Sequence, residues 1–167
     1  ATAYAAFGQI EEARRALASA ARGPAWDAAL EHRLFLDAML SAFEGESAHA
    51  RLQAARLLAL PAPRSETTRD RVLSLREAVA ALIRAFEHRS QPEDLLRLER
   101  ASERSPLVYW AMRYAAAIIA IDHGLCSKAR RLLDGAPKWP TESAFRSFHD
   151  EIEGELSRRG QAAPWSG

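Results

Sequence analysis

The spacing of small residues and prolines constrains the fold of this chain more than any other feature. Four times a small residue stands 16 positions before a proline: Gly8 and Pro24, Gly45 and Pro61, Ser90 and Pro106, Gly124 and Pro140. Three of the small residues are followed five positions later by an alanine: Ala13, Ala50 and Ala129. A small residue at a tight turn, an alanine where helices touch and a closing proline are typical of repeated helical hairpins. We therefore predict a stack of antiparallel helical hairpins.

Apolar residues between these breaks recur at helical spacing, and alanine, a strong helix former, supplies 35 of the 167 residues. The pattern predicts an all-α fold of about seven to eight helices without a strand. The predicted helices cover residues 9–22, 27–43, 47–60, 67–88, 106–122, 125–134 and 141–157, and Pro92 begins a further one.

The length of the chain suits a single domain, which we place at residues 1–159. Its predicted units are 1–24, 25–61, 62–106 and 107–140, followed by a capping helix in 141–159 and a flexible tail in 160–167. The chain lacks a starting methionine and opens in what looks like the end of a helix. We therefore expect it to be a fragment of a larger protein.

The segment around the first turn resembles the tetratricopeptide repeat. In that family an aromatic residue precedes the turn glycine by four positions and an alanine follows it by five, as Tyr4, Gly8 and Ala13 do here. The later Gly and Ala pairs match the second half of the motif, whereas the third unit has Ser90 and Leu95 instead. The resemblance spans residues 1–140. It implies a right-handed α-solenoid with a polar C-terminal cap, and protein or peptide binding without catalysis.

In such an array the first helix of each unit lines a concave groove. Projection along these helices predicts a partner-binding groove formed by His32, Phe35, Met39, Glu77, Arg84, Tyr114 and Ile118. An apolar centre with a few charges suits a helix or peptide from another protein, or from another domain of the same protein. The alternative is that the apolar members of this set pack between neighbouring repeats.

Arginine offers a second candidate surface. The chain has 21 arginines and only two lysines, and basic residues recur just after the repeat alanine. The resulting convex basic face comprises Arg14, Arg15, Arg51, Arg130 and Arg131. It suits an acidic partner or phosphate groups. Nearby glutamates also allow ordinary ion pairs along each helix, in which case this face is a solvated ridge.

The remaining chemistry argues against an enzyme. The five histidines are scattered, and only His149 and Glu153 form a local pair at metal-ligand spacing, which is too few ligands for zinc. Cys126 follows a turn glycine, and we expect a buried, inert thiol. No phosphate loop, nucleophile elbow or zinc-protease motif occurs. We predict no catalytic residue, metal or other cofactor.

Charge and hydropathy limit the partners. A net charge of +1, from 23 basic and 22 acidic residues, argues against a nucleic-acid partner, and no apolar stretch is long enough for a membrane span. With one cysteine and no signal peptide we expect a cytoplasmic protein. Its oligomeric state stays open. Besides a scaffold, the sequence allows a helical sensor segment of a bacterial transcription regulator or signalling ATPase.

Overall fold

The computed structural model describes residues 4–5, 8–20, 30–104 and 108–162. Within these ranges there are eight helices of at least eight residues and no strand, so the prediction of an all-α fold is confirmed. The helices are α1 Ile10–Ala20, α2 Leu30–Phe43, α3 Ser47–Ala59, α4 Glu66–Phe86, α5 Pro92–Arg104, α6 Tyr109–Asp122, α7 Cys126–Leu133 and α8 Ala144–Ala162. Two of the predicted closing prolines, Pro24 and Pro106, lie outside the described residues.

The eight helices pack in two layers. Each helix contacts its successor in the chain, and α2, α4, α6 and α8 also contact one another in that order. These four form one layer, here called the inner layer, and α1, α3, α5 and α7 form the outer layer. Among the described helices none is both long and apolar enough to cross a membrane.

Three helical hairpins turn in the same way. Gly45, His88 and Gly124 each follow the last helical residue by two positions and adopt left-handed φ angles of 76°, 52° and 74°. The next residue donates its N–H to the carbonyl five positions back, at 2.8, 2.9 and 2.7 Å, which closes the helix end. The same bond follows Gly8, from Gln9 to Tyr4 at 3.0 Å. The three hairpins therefore share one turn geometry.

The turn between α4 and α5 differs from the sequence prediction. The left-handed residue is His88 and not Ser90, and the outer helix α5 begins only at Pro92. Counted from Ser90, however, Leu95 occupies the position of the repeat alanine and is buried. The turn between α4 and α5 is therefore longer, while α5 keeps the register of the other outer helices. The corresponding alanines, Ala13, Ala50 and Ala129, are fully buried.

Helix α8 packs against more of the molecule than its predicted role as a terminal cap requires. It begins later and ends later than predicted, running through Gly160 to Ala162. Its start lies against the first turn, where the Ala144 N–H donates to the Gly8 carbonyl at 2.8 Å. A Cβ on Gly8 would lie 2.6 Å from Ser143 Oγ and 2.9 Å from Phe145 Cγ, so only glycine fits there. The first turn and the last helix are thus in direct contact.

Ion pairs connect helices within the group α1 to α5. Three of these groups of contacts are called the polar clips. Arg14 of α1 binds Asp37 and Ser41 of α2 and Glu44, the first residue after α2. Arg76 of α4 binds Glu31 of α2 at 2.9 Å and the Leu60 carbonyl at 2.7 Å. Arg84 of α4 binds Asp94 of α5 through two contacts of 2.8 and 2.5 Å. Each clip fastens one helix to another.

From α6 to α8, aromatic rings connect the helices instead. The aromatic cluster consists of Trp110, Tyr114, Trp139 and Phe145, with ring centroids 5.1–5.9 Å apart. Trp139 donates its indole N–H to the Tyr114 hydroxyl at 2.7 Å, which satisfies both polar atoms in the core. Burial raises the pKa of the Tyr114 phenol, and the bond from Trp139 opposes that rise only in part. The cluster fixes α8 to α6.

Candidate functional site

An open cleft of about 520 Å³ lies where three inner-layer helices end beside α8. The ends of α2, α4 and α6 form one side, and the second half of α8 forms the other. We call it the inner cleft. Its lining residues are Ala42, Phe43, Gly45, Phe86, His88, Ile118, Ile121, Asp122, Phe148, Glu151, Ile152, Glu155, Arg158 and Arg159.

The floor of the inner cleft is built from three phenylalanines of different helices. Phe43 and Phe86 have ring centroids 5.5 Å apart, and Phe148 lies 5.7 and 5.2 Å from them. Phe86 and Phe148 are stacked with an interplanar angle of 17°. All three side chains are partly buried. The floor is therefore a fixed aromatic surface that retains some exposure.

The rim of the inner cleft carries charges that mostly satisfy one another. His88 Nδ1 lies 3.0 Å from Asp122 Oδ2 across the turn ends of α4 and α6. Glu155 binds Arg159 at 2.7 Å and Arg158 at 2.9 Å. The hydrogen bond from Arg159, with the charge of Arg158, lowers the pKa of the Glu155 carboxyl. The rim is thus polar without a strong excess of either sign.

Arg159 also closes one of the helix ends that border the cleft. Its Nη1 donates to the Ile121 carbonyl in the last turn of α6 at 2.6 Å. A helix C-terminus concentrates negative potential, so an arginine there is favourable. This contact joins the C-terminal half of α8 to the last turn of α6.

The repeat itself places the aromatic floor. Phe43 and Phe86 are the last residues of α2 and α4, each two positions before the left-handed turn residue. Equivalent positions in adjacent helices of one layer lie side by side, so the two rings meet. Phe148 reaches them because α8 crosses toward the ends of α2 and α4.

The predicted groove residues are distributed over several environments. Phe35, Met39 and Tyr114 are buried in the core, whereas His32 is exposed and stacks on Phe35 at 6.5 Å. Ile118 is partly buried and lines the inner cleft. Of the seven predicted residues it alone lines that cleft.

The two charged members of the predicted groove face α5. Glu77 lies 3.8 Å from Arg97 of α5, and Arg84 binds the fully buried Asp94. Burial would raise the pKa of Asp94, but hydrogen bonds from Arg84, the Gln91 backbone and Arg97 outweigh it and hold the pKa at about 2. These side chains join α4 to α5.

The arginines of the predicted convex basic face also separate. Arg14 points inward as a polar clip, and its bonds to Glu44 and Asp37 raise its pKa against the opposing effect of burial. Arg15 is exposed and pairs with Glu12 at 2.9 Å, and Arg51 pairs with Glu87 at 3.5 Å. Arg130 and Arg131 are exposed on α7. The five therefore do not form one free basic surface.

Sequence reasoning missed the phenylalanines of the cleft floor. The predicted line along α2, Phe35 and Met39, reaches Phe43 when it is continued by one more turn. Phe86 holds the same position relative to the next turn. Gly45, two positions after Phe43, is a turn signal visible in the sequence, whereas His88, in the same position relative to Phe86, is not. Phe148 had no such signal, because its contacts depend on the path of α8.

The groups considered for metal binding or reactivity lie apart from the inner cleft. His149 is partly buried with Nδ1 3.4 Å from the Tyr114 hydroxyl, and Glu153 is exposed. Across the described ranges, no three His, Cys, Asp or Glu side chains are grouped to hold a metal ion. Cys126 is a free, partly buried cysteine at the first position of α7.

Comparison of the chain with protein-family models, with curated proteins and with solved structures found no match.

Proposed function

We propose that this chain is a non-catalytic, tetratricopeptide-like interaction module that binds an apolar segment of a protein or peptide in the inner cleft. The observation that carries the proposal is the aromatic floor of Phe43, Phe86 and Phe148 inside a cleft of about 520 Å³. Protein surfaces seldom leave several aromatic rings in a concave site without an occupant, because covering them is favourable. The partner is another protein, or another domain of a longer protein that contains this chain.

Helix α8 indicates what kind of segment suits this surface. It presents Phe145, Phe148, Ile152 and Leu156 to the core, at the spacing of one helical face. Such spacing is what helix-in-groove recognition uses for its anchors. An amphipathic helix with a bulky apolar anchor is therefore the ligand that best complements the remainder of the same surface.

The balanced rim favours recognition through the floor. Glu155 is already bound by two arginines, and Asp122 faces His88, so neither carboxylate offers a strong unpaired charge. Burial of an aromatic or aliphatic anchor stabilises a complex by about 1.5–3 kcal/mol per side chain. Affinity in this cleft should accordingly depend little on salt.

Selection of helical peptides on the purified chain tests the proposal. We expect the selected peptides to carry apolar anchors at helical spacing and to bind at least about tenfold more weakly to Ile118→Glu. Leu96→Glu on α5, at an exposed position away from the cleft, is the matched control and should bind normally. Equal binding to the wild type and Ile118→Glu would exclude the inner cleft as the site.

A helical sensor segment for a small ligand is the second candidate. The observation that favours it is the volume of the cleft, which lies within the range of about 300–1,000 Å³ usual for small-molecule pockets. A screen of small apolar compounds by thermal shift, repeated on Ile118→Glu, separates the two. Stabilisation by a compound, lost in the variant and without any peptide binding, would favour the sensor.

A further inference from the structure

Helix α3 carries apolar residues on both of its faces. Ala50, Ala54 and Leu57 are buried against the neighbouring helices. On the opposite side, a line of exposed apolar residues follows the helix: Ala48, Leu52, Ala55 and Ala59. We call this line the α3 outer face. The side of a surface helix that faces away from the core ordinarily carries polar residues, whereas that side of α3 carries an apolar line.

The outer-layer helices α5 and α7 do not share this feature. The exposed side of α5 carries Glu93, Arg100 and Glu103 beside Leu96, and that of α7 carries Ser127, Arg130 and Arg131. Both therefore have the polar outer side expected of a helix that faces water. The apolar outer side is a property of α3 and not of the layer.

Basic residues border the α3 outer face, and two of them have acidic neighbours: His49 faces Asp37 at 3.1 Å and Arg51 faces Glu87 at 3.5 Å. Arg51 and Leu58 lie along one side of it, and His49 and Arg56 lie along the other, as helical spacing requires. Leu52 and Leu58 are 49% and 47% exposed, and Arg51 is 54% exposed. Helix α3 itself contains no aspartate or glutamate. Its outward side is thus an apolar line between basic flanks.

We propose that the α3 outer face docks an amphipathic helix of a protein partner, one whose apolar seam is flanked by aspartates and glutamates. The alanines allow a second helix to approach to about 8–10 Å, and Leu52 and Leu58 supply the larger contacts. Arg56, which makes no ion pair among the described residues, and Arg51, which stays 54% exposed beside Glu87, then pair with the partner's carboxylates through charge-assisted hydrogen bonds. This surface is independent of the inner cleft and does not require that cleft to bind anything.

Two other occupants fit less well. A second copy of the chain, paired through the same face, would bring the arginines of one α3 toward those of the other, and like charges repel. A membrane surface requires a broader set of bulky apolar side chains than one central leucine among three alanines. Charge complementarity therefore selects a helix with acidic flanks.

The probe is a synthetic helical peptide about three heptads long, with an Ala and Leu seam flanked by glutamates. A counterpart with lysines at the flanking positions is the control peptide. Binding is measured by calorimetry at low and moderate salt. We expect the glutamate peptide to bind, to weaken as salt rises, and to bind at least about tenfold more tightly than the lysine peptide.

Variants locate the binding. Leu52→Glu should weaken the glutamate peptide by about tenfold or more, because it places a carboxylate in the seam. Arg56→Glu should reduce the preference for the glutamate peptide over the lysine peptide. Leu96→Glu, an equally exposed leucine on α5, should leave binding unchanged. Circular dichroism should show the same helix content in all three variants, because the positions are exposed.

Four outcomes would overturn the proposal. They are failure of both peptides to bind, equal binding of the two peptides, and loss of binding in Leu96→Glu but not in Leu52→Glu. The fourth is a different occupant: sedimentation showing a dimer that Leu52→Glu dissociates would assign the face to a second copy. Binding to anionic vesicles that the same variant abolishes would assign it to a membrane.

Discussion

Helices α1 to α5 add the polar clips to their apolar core, whereas helices α6 to α8 add the aromatic cluster. The clips join charged atoms over 2.5–2.9 Å in Arg76 with Glu31 and in Arg84 with Asp94. The cluster joins rings whose centroids lie 5.1–5.9 Å apart. The two regions are therefore held together by different interactions.

The difference determines how each region responds to solution conditions. Ion pairs lose strength when a carboxylate is protonated, and exposed ones also weaken with salt. Ring packing responds to neither, because it depends on apolar contact and shape. We therefore expect acid and salt to weaken the contacts among α1 to α5 before those among α6 to α8.

The largest effect should follow from loss of a ring in the aromatic cluster. Phe145→Ala removes a fully buried side chain that contacts Phe43, Tyr114 and Trp139, so the free energy of unfolding should fall by about 3–5 kcal/mol. Urea denaturation measures it. The control is Arg146→Ala, an exposed neighbour, which should change stability by less than about 0.5 kcal/mol. Similar losses in both variants would mean that α8 is not held by its aromatic side.

Acid should act on the clip between α4 and α5. The pKa of Asp94 is held at about 2 in the folded chain, below its ordinary 3.8, so its ionised form stabilises the fold. That contribution is complete above the ordinary pKa and is lost as the pH falls from about 4 to about 2; it amounts to about 2 kcal/mol.

Comparison with Asp94→Asn isolates this residue from the other carboxylates. The difference in unfolding free energy between wild type and variant, measured by urea denaturation, should shrink as the pH falls over the same range. A constant difference would show that the charge of Asp94 does not contribute, and would weaken the contrast between the regions.

The smallest effect concerns the clip between α1 and α2. Arg14→Ala should lower the free energy of unfolding by about 1 kcal/mol, and by less at high salt, because the side chains of Arg14 and Asp37 are still 26% and 22% exposed. Arg15→Ala is the control, since Arg15 is 72% exposed and pairs only with Glu12. Chemical denaturation at two salt concentrations measures both. Equal losses in the two variants, or a loss that salt leaves unchanged, would contradict the assignment.

The sequence was sufficient to predict the helices and much of their register. Glycine and proline spacing marked the helix ends, and the repeat alanines Ala13, Ala50 and Ala129 are buried as their spacing required. The turn between α4 and α5 could not be placed as accurately. Histidine tolerates the left-handed conformation less readily than glycine, so His88 carried no visible turn signal while the nearby Ser90 did.

The candidate site was less predictable because it depends on long-range packing. Ile118 was foreseen, but the cleft also needs Phe148 and the arginines of α8, and the path of α8 follows from its contact with Gly8. The buried Arg76 was missed for a similar reason. A charged residue in a helix is expected to face solvent, and the burial of Arg76 is favourable because Glu31 and the carbonyls of Leu60 and Pro61 accept its hydrogen bonds.

The contact between Gly8 and Ala144 also limits how this architecture can change in length. In an open array, pairs of helices can be inserted or deleted because each contacts only its neighbours. Here an added pair would carry α8 away from the first turn, leaving Ser143 and Phe145 without the backbone that now covers them. The contact between the first turn and α8 therefore restricts the number of helical pairs. A variant with one pair more or fewer would need new packing at both ends of the array.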